Sequence, residues 1–235
     1  MYRSEVETSI GGAPRHHSLQ KLEDAPKTQS RLQHALRRTL DIVLASVFVL
    51  SFFWLFLVVW LGVRVTTGSP ALYSHKRVGK AGREFGCLKF RSMVVDSDRR
   101  LQQLLESSPA ARAEWTETFK LRNDPRITPF GRFIRRTSLD ELPQFFNVIR
   151  GHMSLVGPRP VTRQELDLHY GPEARHYASV KPGITGLWQV SGRSELAYSQ
   201  RVRHDVDYVQ TRTIRLDLWI LCRTVAVVLG RQGSH

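Results

Sequence analysis

Cysteine is almost absent from the chain: Cys87 and Cys222 are the only two in 235 residues. Two are too few for a disulfide framework or a structural zinc site, so reduced thiols facing the cytoplasm are expected, neither of them a nucleophile. Acidic residues are also in deficit, 21 against 35 Lys and Arg, and the formal net charge of +14 calls for an anionic partner. Nucleic acid, an acidic membrane surface and a phosphorylated substrate all qualify. No recognisable helix-turn-helix or base-stacking motif is present, which argues against nucleic acid. Residues 1–34 lack both an apolar core of the signal-peptide kind and any strong periodicity, and they read as a disordered leader.

From 42 to 63 the chain runs 22 residues with neither a charge nor a proline. As a helix this stretch is ~33 Å long, against a hydrocarbon core of ~30 Å. Its flanks carry positive charge on both sides, Arg37 and Arg38 before it and Arg64, Lys76 and Arg77 after it. The positive-inside rule then puts both ends in the cytoplasm, which a helix that enters, bends and returns satisfies and a straight span does not. Ser51 lies near the middle, where a serine can help re-satisfy backbone groups at a bend, but no proline forces one.

Residues 74–93 hold six cations against one acid, Glu84. Gly79 and Gly82 mark a turn, and Leu88 and Phe90 alternate with Lys89 and Arg91 in the period of a half-buried strand. That period sets Lys89 and Arg91 on an outer face suited to a diphosphate or to anionic headgroups. Residues 95–119 have helical spacing interrupted at Pro109, and Trp115 and Phe119 are expected to pack in the core.

The densest chemistry lies in Ser138-Leu139-Asp140-Glu141-Leu142-Pro143, behind Arg132, Arg135 and Arg136. Ser138-x-x-Glu141 has the form of a capping box, which by itself means only an ordinary helix start; alternatively Pro143 opens the helix and the acids precede it. Either way Asp140 falls at a helix N-terminus, where the macrodipole favours an ionised carboxylate and a phosphate. Asp140 is thus a candidate nucleophile and Glu141 a candidate ligand for a divalent cation. A short helix over 144–150 should stop at Gly151. Beyond it, Pro158 and Pro160 stiffen Arg159, whose guanidinium fork suits phosphate oxygens. Lys181-Pro182-Gly183-Ile184-Thr185-Gly186-Leu187-Trp188-Gln189 is glycine-rich. With Thr185, Gln189, Ser191 and Arg193 it offers groups for a base, ribose or phosphate, although a plain turn needs the same glycines. Asp205 reads as an acid on a helix surface or a contact to a sugar hydroxyl. Residues 214–229 are apolar enough for a core helix or one lying on a membrane.

Four segments in fixed order, Leu88-Lys89-Phe90-Arg91-Ser92-Met93, Ser138 to Gln144, Met153 to Pro160 and Lys181 to Arg193, resemble the bacterial sugar transferases. These are monotopic polyprenyl-phosphate hexose-1-phosphate transferases, and the likeness is strongest to the short enzymes that start succinoglycan-type exopolysaccharides. It implies a magnesium-dependent reaction of a UDP-hexose, galactose or glucose, with undecaprenyl phosphate, giving undecaprenyl-diphosphate-hexose and UMP. By resemblance Asp140 is the nucleophile, Glu141 the metal-binding partner, and Lys89, Arg135 and Arg159 handle phosphate. The implied fold is α+β and mainly helical. A re-entrant membrane helix over residues 35–69 leads to a compact cytoplasmic catalytic domain over 70–230, with a short β-hairpin and interfacial amphipathic helices, and then a tail over 231–235. The implied location is the bacterial inner membrane, with a homodimer compatible. One departure is evident: the family's re-entrant helix carries Ser-Pro at its break, where this chain has Ser51-Phe52. The competing reading is a non-catalytic basic scaffold of a polysaccharide export complex.

Overall fold

The computed structural model describes residues 31–118, 121, 124–192 and 196–230. Most of the leader, Phe119, Arg193 and the 231–235 tail lie outside the described residues. The described residues are mainly helical, as the sequence implies, with the expected hairpin and a second small sheet that was not expected.

Helix α1 (Arg31–Ser51) begins inside the stretch read as leader and meets α2 (Phe53–Thr67) at a 66° bend. No single described helix is long and apolar enough to cross a bilayer, whereas the bent pair is so only when taken together. The bend needs no proline because α6 (Gln144–Arg150) is wedged into it. The Phe48 ring of α1 stacks on Phe145 at 4.1 Å, and the Phe56 ring of α2 meets Phe146 edge-on at 5.7 Å. Two successive phenylalanines of α6 thus receive one ring from each arm, and aromatic pairs of this geometry stabilise by about 0.5–1.5 kcal/mol each beyond area burial.

Both arms dock on the same body. On α1, Arg37 pairs with Asp217 at 2.7 Å. Arg38 donates to the Val148 and Ile149 carbonyls at 2.6 and 2.8 Å, and buried Asp41 accepts from the Ser154 hydroxyl and the Leu155 N–H. On α2, Val59 and Val63 are buried with Phe90, Ile134 and Leu142. A polar body cannot lie on two sides of a bilayer, so this docking fits a pair that enters and leaves by one face.

Strands β1 (Leu72–Val78) and β2 (Glu84–Phe90) form the expected hairpin, antiparallel, with Tyr73 opposite Lys89. Helices α3 (Ser97–Ser107) and α4 (Pro109–Thr118) break at Pro109 as expected, yet α3 buries no residue completely. Trp115 is half-buried and holds the Arg126 guanidinium 5.3 Å from its ring, so the core role expected of it is not what the fold assigns. Helix α5 (Pro129–Arg136) is capped by Thr128 and followed by a 3₁₀ turn (Leu139–Glu141) that leads into α6. Short β3 (Ser154–Val156) pairs in parallel with β4 (Gly183–Thr185). Between them lie α7 (Arg163–His169) and α8 (Ala174–Ala178), and after β4 come α9 (Leu187–Ser191), α10 (Tyr198–Thr211) and α11 (Ile214–Leu229). Helix α11 buries Ile220 and Val227, as a core helix would, while Trp219 and Val225 remain 51 % and 59 % exposed on another face.

Candidate functional site

Asp140 is carried on the 3₁₀ turn and is buried, 8 % exposed. The capping box does not form: Ser138 is left-handed (φ 57°) and its side chain caps nothing, so the acids simply precede α6. The chain does build such a box elsewhere, from Thr162 and Glu165 at the start of α7. Burial also overturns the expected bias of Asp140 towards the ionised form. It raises the carboxyl to about 6, reinforced by Glu141 and opposed by Lys89 and Arg135.

Glu141 behaves in the opposite way. Burial works against its charge as well, but Lys89, Arg159 and hydrogen bonds from Lys89 and Gln144 outweigh it and hold the carboxyl below its usual range. The Lys89 Nζ lies 2.6 Å from Glu141 Oε1. Lys89 therefore turns inward from β2 rather than standing on an outer, solvated face. Two neighbouring carboxyls thus have opposed proton affinities, the arrangement that separates chemical roles at an active site.

Arg135 donates to the Ser92 hydroxyl at 2.7 Å and supports the charge on Asp140. Arg159 is exposed, lies 5.9 Å above the Trp188 ring and acts on Glu141. Arg91 follows the end of β2, with its guanidinium 6.0 Å from the Tyr73 ring and its buried Nε without a hydrogen-bond partner among the described residues. Lys89, Arg135 and Arg159 are therefore gathered around the two acids. Thr185 and Gln189 are engaged elsewhere: the Thr185 hydroxyl is 2.7 Å from that of Thr224 on α11, and Gln189 Nε2 donates to the Ile184 carbonyl. The glycines of that loop serve backbone packing. A Cβ on Gly183 would clash with the Gly157 N–H, and one on Gly186 would lie 2.4 Å from the Gly157 carbonyl oxygen, so their close approach is to β3 and the loop after it. Arg193 lies outside the described residues.

Sequence reasoning passed over the residues that hold this arrangement. Asn147, fully buried on α6, accepts from the Leu88 N–H at 2.9 Å and donates to the Gly86 carbonyl at 2.8 Å, which fixes β2, and with it Lys89, against the helix that follows the acids. Gln144 and Ser92 lie inside the family-like segments, so a signal for them existed; Asn147 had none. Asp205 is neither on a surface nor open to a sugar. It is buried on α10, accepts from the Tyr170 hydroxyl at 2.7 Å and is raised to about 7 by burial, with Tyr170 and Arg159 opposing. Burial likewise lifts the Cys87 thiol to about 11, which removes it as a nucleophile.

Adjacent carboxylates among Lys and Arg side chains, on a body to which a bent apolar helix pair is docked, have the make-up of a protein that handles phosphate groups at a membrane surface. The chain belongs to the bacterial sugar transferase family, whose model matches residues 32–231. It is 48 % identical over 219 residues to the undecaprenyl-phosphate galactose phosphotransferase of Salmonella typhimurium, covering 93 % of this chain and 46 % of that protein. It is 45 % identical over 199 residues to the exopolysaccharide production protein ExoY of Rhizobium meliloti, covering 85 % of this chain and 88 % of ExoY. Identity is 38 % over 205 residues with the UDP-glucose:undecaprenyl-phosphate glucose-1-phosphate transferase of Xanthomonas campestris, covering 83 % of this chain and 39 % of that protein. The chain therefore spans about half the length of the Salmonella relative but most of ExoY.

Proposed function

We propose that this chain transfers hexose-1-phosphate, with galactose or glucose as the hexose, from a UDP-sugar to undecaprenyl phosphate at the cytoplasmic face of the inner membrane. The products are undecaprenyl-diphosphate-hexose and UMP, the first membrane step of exopolysaccharide synthesis. The observation that carries the reading is the placement of buried Asp140 beside Glu141, whose Oε1 lies 2.6 Å from Lys89 Nζ, with Arg135 and Arg159 close enough to act on the pair; burial raises Asp140 to about 6 while the cations hold Glu141 low. At pH 7.5 Asp140 is ionised yet poorly solvated, which suits a nucleophile. Its carboxylate attacks the sugar-bearing phosphorus, the bond to the UMP oxygen breaks, and the phospho-sugar is held on Asp140. An oxygen of the lipid phosphate then attacks the same phosphorus and frees the carboxylate. Lys89, Arg135 and Arg159 supply positive charge to the phosphoryl oxygens.

Magnesium fits the donor set. Glu141 offers one carboxylate, with Lys89 on its Oε1 and Gln144 also bonded to it, and Mg²⁺ commonly binds through one or two carboxylates together with substrate phosphates and water. Glu141 would hold it, and the ion would neutralise diphosphate charge. The bent pair α1–α2 is proposed to enter the bilayer and return. Trp54, Leu57, Leu61 and Val65 are exposed along α2, where lipid would cover them. The test is release of UMP from a panel of UDP-hexoses with undecaprenyl phosphate, with and without Mg²⁺. Magnesium-dependent release with UDP-galactose or UDP-glucose is expected. No release with any donor would leave the scaffold reading in place.

A further inference from the structure

Lys181 opens one of the family-like motifs, yet it lies apart from the two acids. A Cβ placed on Gly151, just past the end of α6, would lie 3.3 Å from Arg38 Nη2 and 3.6 Å from Lys181 Nζ. The two cations therefore close together over the C-terminal end of α6. Lys80, from the turn of the β1–β2 hairpin, is near enough to act on both Lys181 and His34 of α1. Three segments far apart in sequence, α1, the hairpin turn and the approach to β4, thus bring positive charge to one place.

Among the described residues, internal acids offset it only in part. Asp41 is the neighbouring carboxylate, but its oxygens accept from Ser154 and the Leu155 N–H, and Arg38 acts on Lys181 more strongly than Asp41 does. Lys181 is half-buried, and neither its ammonium nor that of Lys80 is hydrogen-bonded or ion-paired among the described residues. Burial, with Arg38 and Lys80, keeps the Lys181 ammonium below its usual value. A half-buried cation among like charges is costly unless an anion joins it.

Position selects the anion. Arg38 stands one helical turn before Ile42, and Ile42, Val43 and Val47 are exposed apolar side chains on the same helix. The cluster therefore lies where an inserted α1 would pass the headgroup layer. We propose that Arg38, Lys80 and Lys181 form a binding site for the phosphate of an anionic phospholipid headgroup, separate from the Asp140–Glu141 site. This does not depend on the catalytic reading. Because Arg38 bonds the carbonyls at one end of α6 while Gln144 at the other end bonds Glu141, an occupied site would also brace the helix that supports the acids.

The test uses the full-length chain in dodecyl maltoside, titrated separately with dioctanoyl phosphatidylglycerol, dioctanoyl phosphatidylcholine and inorganic phosphate while the melting temperature is followed. A saturable rise with phosphatidylglycerol alone is expected. In Lys80→Gln/Lys181→Gln its half-saturating concentration should rise about thirtyfold, about fivefold for each lysine removed. An equal rise with phosphatidylcholine, or a phosphatidylglycerol response unchanged in the double variant, overturns the proposal. The same rise with inorganic phosphate at equal concentration also overturns it, by making the cluster a site for free anions. Should the double variant fail to fold, Lys80→Glu alone decides: Lys80 is exposed, and an unweakened lipid response there refutes the site.

Discussion

Asp140→Asn should abolish turnover and at the same time make the protein more stable at neutral pH. The ordinary carboxyl value of 3.8 is raised to about 6 in the fold, chiefly by burial. A group so raised favours folding fully below pH 3.8, and that contribution is lost as pH rises through 6. The ionised carboxylate then costs about 2 pK units, or roughly 3 kcal/mol, at pH 8, and about 1.5 kcal/mol at pH 5. An amide of the same shape carries no charge and avoids this cost. The stability gap between variant and wild type should therefore widen by about 1.5 kcal/mol between pH 5 and pH 8, or roughly 3–6 °C in Tm for a chain of this size. Reading the change of the gap with pH, rather than its value at one pH, removes any constant loss from hydrogen bonds that the amide makes differently. Melting curves of both proteins in detergent across that range are the assay, alongside UMP release. Turnover should fall by more than ~1000-fold, the scale for removal of a covalent catalyst. Wild-type activity should itself decline tenfold per pH unit below about 6, as Asp140 takes up a proton. A gap that stays flat or narrows with pH would show that Asp140 is not held in a disfavoured ionised state, and the argument for its role would fail with it.

Glu141→Gln should lower the rate and raise the magnesium concentration needed for half-maximal activity, and an unchanged magnesium titration would move the metal elsewhere. Tyr170→Phe leaves the buried Asp205 carboxyl without its hydroxyl partner and should cost about 1–3 kcal/mol in urea unfolding, more at pH 8 than at pH 6, because the lost bond had favoured the ionised form. Equal loss at both pH values would refute that account. Asn147→Ala removes both bonds between β2 and α6 and should destabilise by about 2 kcal/mol while lowering turnover through Lys89; normal activity would show that Lys89 is fixed by other means. For topology, single cysteines at Leu32 and Ser97, in a background lacking Cys87 and Cys222, should both escape a membrane-impermeant thiol reagent in intact cells. Labelling at position 32 alone would mean that the helix pair spans the bilayer.

The sequence by itself determined what depends on residue type and short spacing. The uncharged stretch 42–63, the hairpin at Gly79–Gly82, the break at Pro109, the stop at Gly151 and the adjacency of Asp140 to Glu141 are all set by local chemistry, and each stands in the structure. Four motifs in fixed order pointed to the family for the same reason. Tertiary structure alone decided how those pieces are used. The bend at Phe52 follows from Phe145 and Phe146 wedged between the two arms, contacts separated by about a hundred residues that no proline advertises. Lys89 and Arg91 alternate with apolar residues as if facing water, yet Lys89 turns in to Glu141 because Asn147 draws β2 onto α6. Asp205 lies among polar residues in sequence and is sealed in by Tyr170. Proton affinity was the least legible property of all. Asp140 and Glu141 are neighbours with nearly the same chemistry, and burial pushes both carboxyls up; only the cations and hydrogen-bond donors each faces, fixed by long-range packing, leave one raised and bring the other down.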